Sequence, residues 1–256
     1  MDPPEAALLL ERGLATSWAR QTRLVPGSTI RHLGGLLVAL SGIVDQTQQV
    51  AVVEGPVPEP GAAVIAAEIC FDRARWRPAF DLIVGAHPDI EAVLERRGFE
   101  VVVSRPGMVR PLTQRDWQAP DPGVVLELGT SVERDQIVEL QRVSFDLTPA
   151  TASGMVGDAM FADPDIAIIV ARTEIGGAVV GSVTVHLDPA AAAIVGTAVD
   201  PRHRQRGIGT ALTAAALDLA AAHRIPHAWL QATTAGEGVY DRLGFARVAR
   251  CDVWLR

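Results

Sequence analysis

Residues 202–209 read Arg-His-Arg-Gln-Arg-Gly-Ile-Gly, three arginines leading into two glycines one residue apart. Before them the apolar run Ala192–Val199 closes on Asp200-Pro201 and reads as a buried strand. After them Ile208–Ala222 has Leu212, Ala215, Ala216 and Leu219 at helical spacing. A loop of this composition between strand and helix can hold an anion. Glycine reaches positive φ and leaves its N–H unshielded, so the amides of Gln205, Arg206, Gly207, Ile208, Gly209 and Thr210 can turn toward one point. That point is a helix N-terminus, whose dipole and unpaired N–H groups favour negative charge. Arg202, Arg204 and Arg206 surround it with positive charge. The ligand implied is a phosphate.

A second group of side chains could move a proton. Tyr240 is the only tyrosine of the chain, and a phenol is a hydrogen-bond donor at neutral pH. His186, near the end of a strand, has the ordinary pKa of a general base, yet a lone histidine on a strand is more often a structural residue. Glu127 and Glu237 are acidic alternatives, and proton loss through an ordered water needs none of the three. The base stays unassigned.

The loop is neither of two common phosphate loops. G-x-x-x-x-G-K-[ST] needs a lysine, of which the chain has none, and G-x-G-x-x-G fails at Leu212. R-x-x-G-x-G fits, with Arg204, Gly207 and Gly209 following Val199-Asp200-Pro201. Further on stands Tyr240-Asp241-Arg242-Leu243-Gly244-Phe245. In order and spacing, residues from about 123 to 256 resemble the GCN5-related N-acetyltransferases, the GNAT family, in its acyl-CoA pyrophosphate loop and its closing Y-x-x-x-G-F. The resemblance implies acetyl-CoA as co-substrate, no metal, and direct transfer of the acetyl group to a primary amine of a small molecule or peptide. It implies that the pantetheine arm lies along the strand ending at Ala198 and Val199, where the strands ending at Val199 and Gln231 splay apart. It adds Thr233 to the cofactor-binding set and gives Tyr240 the role of general acid to the departing thiolate. Many relatives carry a glutamate on the strand before the loop, whereas Ala192–Val199 has no acid. A non-catalytic acyl-CoA-binding or sensing module therefore stays open as the alternative.

The elements that must position these groups follow from periodicity and breakers. In the first half the pattern predicts a helix over 5–20, strands over 32–40 and 49–53, a helix over 62–75, a strand over 80–84, a helix over 89–97 and a strand over 99–103. Residues 112–122, with Pro111, Pro120 and Pro122, read as a linker between domains 1–111 and 123–256. In the second half a strand over 124–128 precedes Thr130 and Glu133, which have capping-box spacing for a helix to Phe145. A shorter helix lies within 148–162, which in the family forms one wall of the acceptor site. Strands over 166–172, 178–187, 227–231 and 246–255 and a short helix over 233–242 complete an α/β (α+β) pattern. The resemblance implies two GNAT-like domains, each a mixed, mostly antiparallel sheet flanked by helices.

Laying Gly98-Phe99 on Gly244-Phe245, an offset of 146, places Gly61 on Gly207 and the strand ending at Val53 on the one ending at Val199. The first half reads as a second copy of the fold without its chemistry. Opposite Arg204, Gln205, Arg206 and Gly209 stand Pro58, Glu59, Pro60 and Ala63, and Leu94 stands opposite Tyr240. Proline removes an N–H donor, and Glu59 repels an anion. Such a half is left for packing, substrate walls or homodimer formation.

Composition narrows the classes. A formal net charge of −7 argues against a nucleic-acid surface. Apolar residues make up 48%, but no apolar run approaches the ~18 residues a membrane helix needs, and the acidic Met1-Asp2-Pro3-Pro4-Glu5 is unlike a signal peptide. Cys70 and Cys251 are isolated, which points to two plain thiols in the cytoplasm and not to a disulfide framework or zinc site.

Overall fold

The computed structural model describes residues 2–113, 115–119 and 121–256; Met1 and, within the expected linker, Gln114 and Pro120 lie outside the described residues. In chain order the elements are α1 (Pro3–Arg23), β1 (Thr29–Leu33), β2 (Leu36–Leu40), β3 (Gln49–Val53), α2 (Pro60–Ala74), β4 (Ala79–Ile83), α3 (Pro88–Arg96) and β5 (Glu100–Pro111). Then come β6 (Val125–Leu128), α4 (Arg134–Phe145), α5 (Pro149–Met155), β7 (Ile166–Arg172), β8 (Val179–His186) and β9 (Ala192–Val199). The chain closes with α6 (Ile208–Ala222), β10 (His227–Gln231), α7 (Glu237–Arg242) and β11 (Ala246–Leu255). The α/β class with mostly antiparallel sheets and flanking helices is as expected. No helix of the described residues is long and apolar enough to cross a membrane.

Two compact units form, Met1–Gly107 together with Arg247–Arg256, and Met108–Ala246. These differ from a linear division at 111 and 123 in two places, each with a physical reason. The last strand joins the first unit, because β11 pairs antiparallel with β4 from Cys251↔Ile83 to Leu255↔Ala79 and buries Trp254 in that unit's core. The stretch after Gly107 joins the second, because Met108, Leu112 and Trp117 are buried there, Leu112 N–H donates to Pro226 O at 2.8 Å, and Trp117 Nε1 donates to Asp218 at 3.0 Å. Prolines break the periodicity of this segment without stopping its apolar side chains from being buried.

In the first unit the strand order is β1-β2-β3-β4-β11-β5. The single strand expected over 32–40 is a hairpin, since Gly34 and Gly35 have φ of 57° and 94° and make the two-residue turn that such angles favour. Near the end of this unit Phe99 N–H bonds Leu94 O at 3.1 Å after Gly98 at φ 79°; in the second unit Phe245 N–H bonds Tyr240 O at 3.1 Å after Gly244 at φ 76°. The offset of 146 therefore lays one local structure on another here. It slips at the loop. Helix α2 begins at Pro60 and takes in Gly61, whereas α6 begins at Ile208, after Gly207.

In the second unit the order is β10-β9-β8-β7-β6, with β9 and β10 parallel and the other pairs antiparallel. A Cβ on Gly181 of β8 would lie 2.8 Å from Leu212 Cδ1 and 3.0 Å from Ile208 Cγ2, so α6 is packed against backbone there. The next residue, Ser182, meets Gln141 of α4. Neighbouring residues of a strand face opposite sides, so α4 and α6 cover opposite faces of this sheet.

Candidate active site

Strands β9 and β10 run together only briefly. Their parallel ladder holds Ala192 to Ala228 and Ala193 to Trp229 and goes no further among the described residues, so the fork opens from Ile194 onward. Beyond it β9 also breaks step with β8. Thr184 pairs with Val195 and Ser182 with Ala198, leaving Gly196 and Thr197 opposite Val183 as a bulge, with Gly196 at φ 61°. Gln141, 4% exposed, donates from Nε2 to Gly196 O at 2.7 Å and lies 3.3 Å from Ser182 Oγ.

At the end of β9 the chain curls into the loop. Gln205 and Gly207 have φ of 62° and 83°, on either side of Arg206. Left-handed residues so placed turn backbone N–H groups inward into an anion-binding concavity. A non-glycine at positive φ is strained, and such strain is typical of ligand loops. Helix α6 starts directly after, and its first backbone bond runs from Ala211 N–H to Gly207 O. The N–H groups of Ile208, Gly209 and Thr210 precede that ladder and have no intrahelical acceptor. A Cβ on Gly209 would meet only Val199 Cγ2, at 3.7 Å, so glycine here leaves the approach to those amides open.

The arginines divide their duties in a way the sequence does not show. Arg202 is turned onto Asp200 at 2.7 Å and holds that carboxyl down to about pKa 2, so it is not part of the cradle. Arg204 Nε donates to Val199 O at 3.1 Å, and Ser144 Oγ also reaches that carbonyl at 3.3 Å. Side chains thus bond the carbonyls of both Gly196 and Val199 at this end of the strand. Arg206 is exposed at the loop's crest. Beside Asp200 and Arg202 a cavity of about 650 Å³ opens against α4, lined also by Asp135, Glu139, Leu140 and Val179.

Tyr240, on the short α7, sits edge-on to Phe245 with ring centroids 5.9 Å apart and closes on Gly236, whose added Cβ would be 3.2 Å from Tyr240 Cε2. Burial pushes its pKa above 10, and the hydroxyl of Thr197 alongside pulls part of the way back. Thr197 Oγ1 is buried and forms no well-aligned hydrogen bond. The phenol is therefore protonated at neutral pH and abuts the bulge of β9. Thr233 turns the chain into α7, accepting Gly236 N–H on its carbonyl at 2.9 Å and on its hydroxyl at 3.2 Å.

The other proton-transfer candidates are not brought to this point. His186 is buried opposite Ala193, four residues along β9 from Thr197, or about 13 Å at ~3.3 Å per residue. Glu127 is ion-paired with Arg172, which also holds Glu133 at 2.9 Å. Glu237 opens α7. Among the described residues no group of three or more His, Cys, Asp or Glu is placed to hold a metal.

The sequence reading missed Gln141, Thr197 and Arg110. Gly196, a glycine inside an otherwise apolar strand, was the available sign of the bulge. Arg110 gave none. It is 5% exposed, ion-paired with Asp116 and stacked over Trp117 at 4.9 Å, and it lies against Gly244, where an added Cβ would come within 2.0 Å of its Nη1. Gly244 is thus required twice, for its positive φ and for the arginine. We predict that Gly244→Ala costs about 2–4 kcal/mol in urea unfolding, the left-handed penalty plus disturbance of a buried pair. Gly98→Ala, at φ 79° with nothing within 4 Å, should cost only about 1–2 kcal/mol. Equal losses for the two variants would remove Arg110 from the account.

Comparison with known proteins follows the same lines. Residues 134–245 match the model of the Acetyltransferase (GNAT) family. No curated protein matches the chain. Among solved structures, a GCN5-related N-acetyltransferase from Kribbella flavida superposes with a TM-score of 0.72 at 19% identity, covering 96% of this chain and 95% of that one. A tandem GNAT protein from the clavulanic acid biosynthesis pathway gives 0.62 at 17% identity, covering 91% and 84%. A GCN5-related N-acetyltransferase from Sphaerobacter thermophilus gives 0.62 at 15%, covering 100% and 93%. Residues 134–245 thus match a GNAT acetyltransferase model that takes in the loop, the helix after it and the tyrosine helix, and the chain as a whole is similar in fold to GCN5-related N-acetyltransferases.

Proposed function

We propose that the chain transfers an acetyl group directly from acetyl-CoA to a primary amine of a small molecule or peptide, with one working site in the second unit. The observation that carries this reading is the Tyr240 hydroxyl beside Thr197, on the strand that has left β10 and runs into the loop. The amides of Gln205 to Thr210 and the side chains of Arg204 and Arg206 would hold the pyrophosphate. Ala198 and Val199 would flank the extended arm, and Thr233 would support α7 from below. The acceptor nitrogen attacks the thioester carbonyl, forming the C–N bond as the C–S bond breaks. The amine gives its surplus proton to water, and Tyr240 gives a proton to the departing sulfur and regains one from solvent. His186 is too far along β9 for the base, so a water fills that role.

A second reading, acyl-CoA binding without turnover, draws on the lack of any acid on β9. One assay separates them: release of free thiol from acetyl-CoA across a panel of primary amines. Binding with no thiol release for any amine would leave the sensing module; no binding would sink both readings.

The first unit is proposed to be a silent copy. Pro58 and Pro60 lack N–H groups, Gly35 is pressed on Pro56, where a Cβ would fall 2.2 Å from its carbonyl oxygen, and Glu54 is paired with His32 at 2.8 Å. Calorimetric titration is expected to return one acetyl-CoA per chain. Two sites of similar affinity would overturn the silent copy.

A further inference from the structure

Gly196 O is held by Gln141 at 2.7 Å on the face of the sheet covered by α4. The peptide between Gly196 and Thr197 is trans, so the Thr197 N–H points the opposite way, out of the α4 face. Gly196 and Thr197 have no register partner on β8, and β10 has already departed. Nothing in the ladder itself decides how this peptide plane is turned. Gln141 does. Its amide is buried, it spans Gly196 O and Ser182 Oγ, and an added Cβ on Gly196 would press it at 3.4 Å.

We infer that Gln141 is a positioning residue for acyl transfer: by holding the Gly196 carbonyl it aims the Thr197 N–H at the acyl carbonyl oxygen. The inference rests on the acetyltransferase reading above and adds to it the side chain that orients the polarising amide. A backbone donor aimed where negative charge develops is effective only while its direction is fixed, since a free-turning peptide must be reorganised during the reaction. The geometry also makes the inference testable without wrecking the fold. Gln141 Oε1 is buried with no partner, so an apolar side chain of similar length removes an unsatisfied acceptor along with the donor.

The test uses the full chain, Gln141→Leu and, as a second replacement of similar shape, Gln141→Met. Three quantities are read: kcat with the best amine of the panel, affinity for CoA, which lacks the acyl carbonyl, and the infrared carbonyl stretch of bound acetyl-CoA labelled with ¹³C at the carbonyl. We expect kcat to fall about 10- to 100-fold, somewhat less than the ~10²–10³ for deleting such a donor outright, because the amide is misaimed and not removed. CoA affinity should stay within twofold. The carbonyl stretch should rise in both variants, as a lost hydrogen bond lets the C=O bond strengthen. A merely structural glutamine would lower thermal stability and leave the stretch where it was. An unchanged stretch and kcat in folded variants would overturn the role of Gln141 while leaving the acetyltransferase reading intact. A wild-type chain that binds no acetyl-CoA would overturn both.

Discussion

Tyr240→Phe should lower turnover about 10²- to 10⁴-fold while leaving acetyl-CoA affinity within a factor of two. The range is that of a general acid, and it corresponds to roughly 3–5 kcal/mol of transition-state stabilisation. The structure explains why affinity should survive. The tyrosine ring is wedged between Phe245 and Gly236, contacts that phenylalanine keeps, and only the hydroxyl beside Thr197 is lost. It also fixes the pH behaviour. Burial raises the phenol's pKa above that of a free tyrosine, so the donor is present throughout the neutral range, and any loss of rate from its ionisation comes at more alkaline pH than a free phenol would give. The alkaline fall, if reached, should be absent in the variant. Steady-state rates with the best amine, together with calorimetric binding of acetyl-CoA, decide the matter. A phenylalanine enzyme as fast as the wild type would reduce Tyr240 to a packing residue.

Gly209→Glu should abolish the stabilisation that acetyl-CoA gives. At a hundredfold excess over its dissociation constant a ligand raises stability by about 2.7 kcal/mol, read as a rise in melting temperature. Glutamate at 209 fits the free protein, since its Cβ would meet only Val199 Cγ2 at 3.7 Å, but it sets a carboxylate over the first-turn amides of α6. The result expected is therefore an unchanged melting temperature without ligand and no rise with it. Gly207→Pro should also lose binding by a different route. Gly207 stands at φ 83°, which proline cannot adopt, so the loop must refold and the unliganded protein is weakened too. The contrast separates a blocked cradle from a broken one. A normal ligand shift in Gly209→Glu would place the cofactor elsewhere.

Local signals in the chain carried far. The strand at 192–199 and the helix at 208–222 were legible residue for residue, because an apolar run, a breaker pair and a helical repeat of small residues each act within a few neighbours. The turn of the loop into the helix was legible for the same reason: glycine spacing and a helix start are properties of contiguous sequence. Tyr240 with Gly244-Phe245 was recognisable as a motif, though only the fold shows that Gly244 must be bare to admit Arg110.

What contiguous sequence could not carry was every decision made between distant residues. Arg202, Arg204 and Arg206 look alike along the chain, and their different fates depend on whether Asp200, the Val199 carbonyl or solvent lies in reach. His186 matched a base by type, but register across β8 and β9 sets it opposite Ala193, about 13 Å along the strand from Thr197. The last strand closes the motif of the second unit in sequence and yet folds into the first, because Trp254 and the β4 edge supply its burial and its hydrogen bonds. Gln141 lies 55 residues before the carbonyl it turns. Residue types and local spacing determined which chemistry the chain can do; long-range packing and strand register decided which atoms are brought to do it, since a hydrogen bond or a buried contact depends on distance in space and not along the chain.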